Sequence, residues 1–397
     1  MRILHFSWEY PPVMYGGLGA HVLALTQEQV RRGHEVTVIT QAPIGVPAVN
    51  ESCNGVRVIR VANHYPDARL GQDNFDYWVH GFALASLSAI EHIDAVPDIV
   101  HGHDWLACDQ LLASSREFSV PSVLTVHATE FGRHNGWLTS RLSRIVYSSE
   151  HRSMTLANSI IVCSESMRKE IRTGYGLQPG ALNVIPNAIS TSYTQYETSA
   201  VTRKGTDQEI VVGFIGRLEW EKGIHHIIDA IESIDDYTVK LEIVGTGSQW
   251  ESLQEKVARK GMSDRIQFLG HVADERKDVI LDSWDLAVIP SSYEPFGIVA
   301  LELGQHGVPI VSSRVGGLAD IISTQEFGYP LDEVTGADIA QAILSIKNDR
   351  EQARDRAARL RERIATEFTW EHVGNLTDKI YEEAMQSALK GYAHEAV

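Results

Sequence analysis

Short apolar runs alternate with longer amphipathic stretches along the chain. The runs at Arg2–Ser7, His34–Thr40 and Val56–Val61 have the length and apolar content of buried strands. Most of the stretches between such runs repeat apolar residues at helical spacing. Strands that alternate with helices are typical of parallel sheets with helices on both faces. The pattern therefore predicts an α/β fold with doubly wound, Rossmann-like parallel sheets.

The alternation runs through both halves of the chain, which predicts two domains. Further strands of the first half are predicted at Ile99–His103, Ser122–His127, Ile160–Ser164 and Asn183–Ile189. The second series is predicted at Ile210–Ile215, Val239–Val244, Ile266–Leu269, Leu286–Pro290 and Pro309–Ser312. Between the two series, Ser190–Gln208 is rich in Ser and Thr and poor in large apolar residues, as linkers are.

The domain boundaries follow from this linker and from the helical pattern at the end of the chain. We predict a first domain over 1–190 and a second domain over 191–370. From 371 to 397 the pattern is that of a final helix, long enough to cross back to the first domain. Interleaved acids and bases over Asp349–Glu367 predict an exposed helix with a solvated face.

Composition and charge narrow the class of protein. The formal net charge is −17, and most of the excess acids lie in the second half. Nucleic acid is excluded as a partner, because its phosphates require clustered basic surface and no such cluster occurs. Cys53, Cys108 and Cys163 are widely spaced, which predicts reduced thiols. The sequence contains neither a signal-peptide pattern nor an apolar window of about 18 residues, so we predict a cytoplasmic protein without an integral membrane segment.

A glycine-rich loop follows the first predicted strand. Gly16, Gly17 and Gly19 resemble a dinucleotide fingerprint, but the third glycine of that fingerprint is absent because position 22 is Val. Hydride transfer is therefore disfavoured. Glycines at 16 and 17 let the backbone approach a ligand that side chains would block. The alternative is a plain tight turn.

Polar residues also stand where other strands of the first half end. His101, His103, Asp104 and His127 fall at such ends, where ligands of open parallel sheets gather. A metal site from His101, His103 and Asp104 is one reading, since alternate residues of a strand share a face. No third strong ligand is identifiable from the sequence, so we predict substrate contacts or satisfied hydrogen bonds and no metal.

The second half carries basic residues directly after its first strand. Arg217 and Lys222 stand five residues apart before a predicted helix, where they can neutralise a diphosphate. The alternative is a pair of surface residues bound to Glu219 and Glu221. A loop after a later strand, which includes Val272, offers backbone to a nucleotide.

Two carboxylates bracket a Pro-Gly loop further along. Glu294 precedes the loop and Glu302 follows it, with seven residues between the two carboxylates. If Gly297 begins a helix, its amide and that of Ile298 are unpaired donors that suit an anion or sugar hydroxyls. The alternative is a surface loop with two solvated acids.

Five motifs together resemble one family. They are EYPPVMYGGLG (9–19), HGHDW (101–105), TVHATE (125–130), GRLEWEKG (216–223) and EPFGIVALE (294–302). In this order, over essentially the whole length, they resemble the retaining nucleotide-sugar glycosyltransferases of family 4. The resemblance implies the GT-B fold, in which two Rossmann-like domains face a cleft. Within the family, the chain is most similar to actinobacterial α-1,4-glucosyltransferases that elongate glycogen-like or methylated glucose polysaccharides.

The resemblance also implies roles for individual residues. Arg217 and Lys222 bind the donor diphosphate, and Glu302 binds the ribose. The implied donor-sugar contacts are Glu294 and the amides of Phe296, Gly297 and Ile298. Gly16, Gly17 and Val272 complete the donor site, with Gly17 at the diphosphate. His127 is implied beside the reacting carbon, and Glu9, Asp104 and Asn187 border the acceptor or donor side. His127, Arg217, Lys222 and Glu294 are the implied catalytic set.

The implied reaction is transfer of glucose from UDP-, ADP- or GDP-glucose to an oligosaccharide or glucan acceptor, with no cofactor. Met14 stands where bacterial glycogen synthases carry Lys, so their use of ADP-glucose does not transfer directly. Alternatives are a lipid acceptor, favoured by Arg133, Arg141, Arg144 and Arg152, a nucleotide-sugar 2-epimerase, and a non-catalytic binder. The sequence leaves the oligomeric state open, with a homodimer as one option. Several aromatic residues are candidates for stacking on sugar rings, namely Trp8, Tyr10, Tyr15, Trp105 and Trp137.

Overall fold

The computed structural model describes residues 1–68, 74–189 and 209–395, which form two compact units. One unit comprises Met1–Ala188 together with Trp370–Val397, and the other comprises Ile189–Thr369. Each unit is built on its own sheet. The predicted linker, Ser190–Gln208, lies outside the described residues.

The first unit contains an eight-stranded sheet. Its strands are β1 (Arg2–Phe6), β2 (Glu35–Gln41), β3 (Val49–Cys53), β4 (Val56–Val61), β5 (Ile99–His103), β6 (Ser122–Val126), β7 (Ser159–Val162) and β8 (Leu182–Val184). They lie in the order β3-β4-β2-β1-β5-β6-β7-β8, and β3 is antiparallel to β4 whereas the others run parallel. The helices are α1 (Gly17–Arg31), α2 (Phe75–Ala89), α3 (Cys108–Phe118), α4 (Glu130–Arg133), α5 (Arg141–Leu156) and α6 (Glu165–Tyr175).

The second unit contains a six-stranded sheet. Its strands are β9 (Ile210–Ile215), β10 (Val239–Val244), β11 (Ile266–Gly270), β12 (Leu286–Ile289), β13 (Ile310–Ser312) and β14 (Tyr329–Pro330). They lie in the order β11-β10-β9-β12-β13-β14, and all pairs are parallel. The helices are α7 (Ile224–Ser233), α8 (Trp250–Arg259), α9 (Asp274–Ser283), α10 (Ile298–Gln305), α11 (Gly317–Ile321), α12 (Gly336–Asn348) and α13 (Arg350–Glu367).

The predicted α/β fold with doubly wound parallel sheets is confirmed in both units. One predicted strand, Asn183–Ile189, is too long: β8 ends at Val184. Pro186 lies two residues further on, and proline has no N–H to donate to the ladder. The antiparallel strand β3 was not predicted. It lacks the apolar run that marks the other strands, because most of its residues are exposed to solvent and need not be apolar.

The final helix, α14 (Trp370–Glu395), supplies apolar side chains to the first unit. Val373, Ile380 and Tyr381 are buried in one cluster with Ile3 on β1 and Leu25 on α1. This helix therefore completes a core that the first strands of the chain begin. Within the described residues, no helix has the length and apolar character needed to span a bilayer.

The charged stretch before α14 forms α13, as predicted. Asp349 accepts the N–H of Gln352 at the start of this helix. Ala353, Ala357, Leu360 and Ile364 lie buried along one face. The helix is therefore exposed to solvent only on the side that carries its charged residues.

Candidate functional site

Glu9 supports the glycine-rich loop of the first unit. Its side chain is buried, and Oε2 accepts the N–H of Tyr15 at 2.9 Å and that of Gly16 at 3.1 Å. Burial raises the pKa of Glu9, and these backbone amides act in the opposite direction. The sequence suggested an acceptor-side contact for Glu9. In the structure its carboxylate fixes the loop that precedes α1.

Packing within the first unit does not require a glycine at position 16. A Cβ built on it meets no atom within 4 Å, and its φ of −167° is ordinary extended backbone. Gly19 differs, because a Cβ there would lie 3.1 Å from Cγ of Met14. The bare backbone at Gly16 therefore leaves space beside the N-terminus of α1, which suits the close approach of a ligand.

His127 ends a buried chain of hydrogen bonds that begins on the final helix. Gln29 Nε2 donates to the hydroxyl of Tyr381 at 3.0 Å, and Gln29 Oε1 lies 2.8 Å from Nε2 of His5. His5 Nδ1 lies 3.1 Å from Nε2 of His103, whose Nδ1 lies 3.2 Å from Nε2 of His127. Strands β1 and β5, the loop after β6 and the helices α1 and α14 thus supply one connected network.

The direction of these hydrogen bonds follows from the amide of Gln29. Burial lowers the pKa of His5 and of His127 to about 4, and that of His103 well below its usual value, so all three rings are neutral at pH 7. A neutral imidazole donates from one nitrogen and accepts at the other. Because Gln29 Oε1 accepts from His5, each ring in turn donates from Nε2. His127 is therefore protonated at Nε2 and carries a lone pair on Nδ1.

We expect Gln29→Leu to remove this tautomer preference. The variant deletes the acceptor for His5 Nε2–H, so the nitrogen-15 spectrum of the His127 ring should change from one tautomer to a mixture. Gln29→Glu keeps an acceptor at this position and should retain the single tautomer. Gln110 is also fully buried in the first unit and donates to the carbonyl of Leu106, so Gln110→Leu is the control. An unchanged His127 spectrum in Gln29→Leu would contradict the assignment.

The histidines also form two groups with metal-ligand spacing, His5 with His101 and His103, and His21 with His103 and His127. In the first group every ring nitrogen has a hydrogen-bond partner. His101 contacts the hydroxyls of Tyr381 at 2.6 Å and Thr125 at 2.7 Å, and the other two rings belong to the chain described above. In the second group the facing nitrogens of His103 and His127 already bind each other. The first group is therefore hydrogen-bonded throughout, whereas Nδ1 of His21 in the second group is buried without a hydrogen-bond partner.

Asp104 holds the loop that carries His127. Its Oδ1 accepts the N–H of His127 at 2.7 Å, and its backbone has a φ of +60°. Burial raises the pKa of Asp104 to about 6. Asp104 thus does not join either histidine group, although the sequence grouped it with His101 and His103 as one metal reading. Asn187 is buried and hydrogen-bonds to His21.

In the second unit, Lys222 and Glu294 meet across two loops. Lys222 Nζ lies 2.6 Å from Oε2 of Glu294, and both side chains are mostly buried. The sequence offered Glu219 and Glu221 as the surface partners of Arg217 and Lys222. For Lys222 this alternative is wrong, because the turn Trp220–Lys222 brings it beside the loop after β12. The pair places a cation and a carboxylate at adjacent strand ends.

Arg217 and Glu302 have different surroundings. The Arg217 side chain is 66% exposed, and its only ion pair among the described residues is with Glu221 at 3.6 Å. Glu302 projects from α10, and Oε1 lies 3.1 Å from Nζ of Lys277 on α9. The sequence gave no sign of Lys277, because a single Lys on a polar helix has no distinctive pattern. Val272, in the loop between β11 and α9, is partly buried.

The loop between Glu294 and Glu302 begins a helix, as predicted. Gly297 is the N-cap residue with a φ of +102°, and α10 starts at Ile298. The Phe296 side chain is buried and its ring centroid lies 6.1 Å from that of Phe368, so Phe296 can offer only its backbone to a ligand. Glycines 316 and 317 pack against this loop from behind, and Gly317 N–H donates to the Glu294 carbonyl at 3.0 Å.

Two family models match the chain. The model described as Glycosyltransferase Family 4 matches residues 15–193, and the model described as Glycosyl transferases group 1 matches residues 197–363. Glycogen synthase of Mycobacterium tuberculosis is 35% identical over 395 residues, which cover 96% of this chain and 94% of that protein. An α-maltose-1-phosphate synthase of Mycolicibacterium smegmatis is 28% identical, over 96% of this chain and 99% of its own. The chain belongs to the group 1, family 4 glycosyltransferases, which confirms the resemblance in the motifs.

Solved structures agree on the fold. Sucrose-phosphate synthase of Thermosynechococcus elongatus superposes with a TM-score of 0.84 at 22% identity, covering 97% of this chain and 99% of that one. Starch synthase IV of Arabidopsis thaliana, bound to ADP and acarbose, has a TM-score of 0.76 at 17% identity. The match covers 97% of this chain and 99% of that one. Anabaena HepE, in complex with UDP and glucose, has a TM-score of 0.72 at 19% identity. The match covers 96% of this chain and 100% of that one. The two parallel-sheet α/β domains are those of the GT-B fold.

Proposed function

We propose that this protein is a retaining α-glucosyltransferase. It transfers glucose from a nucleotide-glucose to an α-glucan or related oligosaccharide and forms an α-1,4 linkage. The observation that carries the proposal is the Lys222–Glu294 pair at the start of α10, with Arg217 exposed nearby in sequence. The 35% identity to a glycogen synthase over nearly the whole chain supports glucose as the transferred sugar.

The second unit has the groups that a nucleotide-sugar donor requires. Arg217 and Lys222 bind the diphosphate, and each charge-assisted hydrogen bond contributes about 1.5–3 kcal/mol. Glu302, oriented by Lys277, accepts hydrogen bonds from the ribose hydroxyls. Glu294 and the amides of Phe296, Gly297 and Ile298 bind the sugar, and Val272 borders the nucleotide. UDP-, ADP- and GDP-glucose all carry the diphosphate and ribose that these groups recognise.

The first unit also has groups that suit a nucleotide-sugar donor. Gly16 and Gly17 present bare backbone at the N-terminus of α1 to the diphosphate. His127, oriented by its hydrogen bond to His103, contacts the donor sugar beside the reacting carbon. Asp104 and Glu9 act by fixing the loops that carry His127 and Gly16.

The mechanism follows from where charge develops. Breaking the bond between C1 of glucose and the phosphate oxygen places negative charge on the diphosphate and positive charge on the sugar. Arg217, Lys222 and the N-terminus of α10 stabilise the leaving group more in the transition state than in the ground state, and the proposed step needs no metal ion. The acceptor hydroxyl attacks C1 from the face that the phosphate leaves, and its proton passes to the departing phosphate oxygen.

A double displacement is disfavoured by the environment of Glu294. Such a route needs a free carboxylate on the face of the sugar opposite the leaving group. Glu294 is ion-paired with Lys222, and Ser291 Oγ lies 3.4 Å from the same oxygen. We therefore assign Glu294 to sugar hydroxyls and propose same-face attack with retention.

The activity is tested by offering UDP-, ADP- and GDP-glucose with short maltooligosaccharides and measuring the released nucleoside diphosphate. We expect one donor to be preferred, and NMR of the growing chain should show a new α-1,4 linkage from the first turnover. A β-linked product would contradict retention. Donor isomerised without any acceptor would show a nucleotide-sugar 2-epimerase instead.

One surface favours a lipid acceptor as the second candidate. Arg141, Arg144 and Arg152 line the same side of α5 together with Ile145, and Leu142 beside them is 44% exposed. A basic face with exposed apolar residues is typical of contact with anionic lipid. A reaction that proceeds only with anionic phospholipid vesicles carrying the acceptor would favour this candidate over a soluble glucan.

A further inference from the structure

Two acidic side chains of the first unit lie against the loop that carries His127. Glu150 projects from α5 and is 5% exposed, and its Oε1 and Oε2 accept the N–H of Glu130 at 2.9 and 3.1 Å. Glu170 projects from α6, and a Cβ built on Gly132 would overlap its carboxyl group. Neither acid lies within one of the five sequence motifs. The loop therefore rests on two carboxyl groups that the proposed mechanism does not use.

Two hydroxyl groups join these carboxyl groups. The Tyr175 hydroxyl hydrogen-bonds to Oε2 of Glu150, and the Thr129 hydroxyl hydrogen-bonds to Oε1 of Glu170. The Tyr175 hydroxyl also hydrogen-bonds to the Thr129 side chain. Tyr175 and Thr129 are both buried. Glu150, Tyr175, Thr129 and Glu170 thus follow one another in a single line of hydrogen bonds, the acid network, whose two ends lie on α5 and α6.

The number of protons that the acid network can hold follows from its donors and acceptors. With one proton on Glu150, the acid donates to Tyr175. Tyr175 then donates to Thr129, which donates to Glu170, so every donor has an acceptor. The reverse direction, with the proton on Glu170, satisfies the same atoms. A second proton would leave one hydroxyl without an acceptor in the network. With no proton, both ends of a largely buried network carry negative charge, which is costly.

The surroundings favour the state with one proton over the state with none. Burial raises the pKa of Glu150 to about 8 and also raises the pKa of Glu170. The negative charge of Asp104 acts on the pKa of Glu150 in the same direction. Carboxyl groups coupled in this way titrate together, so the loss of the shared proton belongs to the network as a whole. The other titratable groups nearby are Glu130, Arg133 and His134 at α4, Tyr147 and His151 on α5, and Cys163 after β7.

We propose that Glu150 and Glu170 are positioning residues, which share one proton through the acid network and thereby hold the loop that carries His127 in place for the reaction. The inference rests on the proposed glucosyl transfer, in which His127 contacts the donor sugar. Loss of the shared proton leaves two carboxylates that repel each other, so the loop shifts and His127 moves with it. A displacement of about 1 Å at a reacting group can lower turnover about 100-fold. Turnover should therefore fall as the pH rises through about 8.

The test uses the whole protein and measures the state of the network separately from turnover. The backbone amide of Glu130 donates to Glu150, so its NMR chemical shift reports the loss of the proton, and one transition near pH 8 is expected. Over the same range, kcat should fall, reaching at pH 9 about one tenth of its value at pH 7, as for one essential proton. Glu150→Gln keeps a donor toward Tyr175 but cannot ionise, so both transitions should disappear.

A second variant separates positioning from mere packing. Glu150→Leu removes the acceptor of the Glu130 amide and should lower kcat at pH 7 by about 10- to 100-fold, with a smaller change in KM. Glu150→Gln should restore most of this loss. The control is Tyr147→Phe, because Tyr147 stacks on Tyr175 with ring centroids 4.5 Å apart but donates to the carbonyl of Gly174, outside the network. It should keep the parent pH profile. Thermal melting confirms that the variants are folded.

Several outcomes would overturn the proposal. The Glu130 amide could show no transition in the parent protein, or kcat could stay level through that transition. Glu150→Gln could keep the same alkaline fall in kcat, or Tyr147→Phe could remove it. Failure of the proposed function is distinct: the Glu130 transition would appear and Glu150→Gln would abolish it, but no nucleotide-glucose would be consumed.

Discussion

Lys222→Ala should lower kcat by about 100- to 1,000-fold, the loss that follows removal of one group that stabilises developing charge. In the structure, Lys222 is the cation that faces Glu294 at the start of α10, with both side chains mostly buried. Negative charge on the leaving diphosphate grows as the sugar–phosphate bond breaks, so the lysine interacts most strongly in the transition state. KM for the donor should change less than kcat. Arg217→Ala should show a loss of the same kind, measured by nucleotide release in the steady state.

The control for this prediction is another ion-paired lysine of the second unit. Lys347 on α12 binds Asp236 and Thr238, and its side chain is 23% exposed, against 18% for Lys222. Lys347→Ala removes a similar ion pair far from either carboxylate motif in sequence, and should leave kcat unchanged. The diphosphate assignment fails if Lys222→Ala and Arg217→Ala are both nearly as active as the parent protein.

Gly316→Ala should abolish activity by displacing the loop that carries Glu294. The glycine has a φ of +53°, and a Cβ built on it would overlap the carbonyl oxygen of Glu294. That obstacle is backbone, which cannot move aside as a flexible side chain does. The loop must shift, and with it the Lys222–Glu294 pair and the first amides of α10. We expect donor binding to be lost and unfolding to occur at a lower temperature.

Gly307→Ala separates the backbone strain from this overlap. Gly307 has a φ of +68° in the same unit, and a Cβ there would meet nothing within 4 Å. It should therefore cost only about 1–2 kcal/mol of stability, the usual penalty for a side chain in this backbone region, and should keep full activity. If the two variants lost activity to the same extent, positive φ alone would account for the effect and the packing argument would be wrong.

Much of the fold could be predicted from the sequence because the buried strands are short and strongly apolar. Val56–Val61, Ile99–His103, Ile210–Ile215 and Val239–Val244 are found with the predicted bounds. A predicted strand boundary was wrong where a single residue overrides the apolar pattern, as Pro186 does after β8. The start of α10 directly after Gly297 could also be predicted from the Pro-Gly loop before an apolar run, although a surface loop was the alternative there.

The partners of the candidate site residues could not be predicted in the same way. Lys222 and Glu294 are 72 residues apart, and only the sheet order brings β9 and β12 side by side. The histidine chain depends on the pairing of β1 with β5, which brings His5 close to His103 at the end of β5. A histidine in the middle of an apolar strand was the available signal for His5. Gln29 and Tyr381 gave none, because a polar residue on a helix is ordinarily solvent-exposed.

The position of α14 has a consequence for biosynthesis. Val373, Ile380 and Tyr381 close a core whose other walls include Ile3, Leu25 and Ile99, so that core is incomplete until the ribosome has added the final helix. The second unit is continuous in sequence from Ile189 to Thr369, so its chain leaves the ribosome before α14 is made. We therefore expect the second unit to be able to fold before the first, whose apolar core surface stays exposed until α14 has been made.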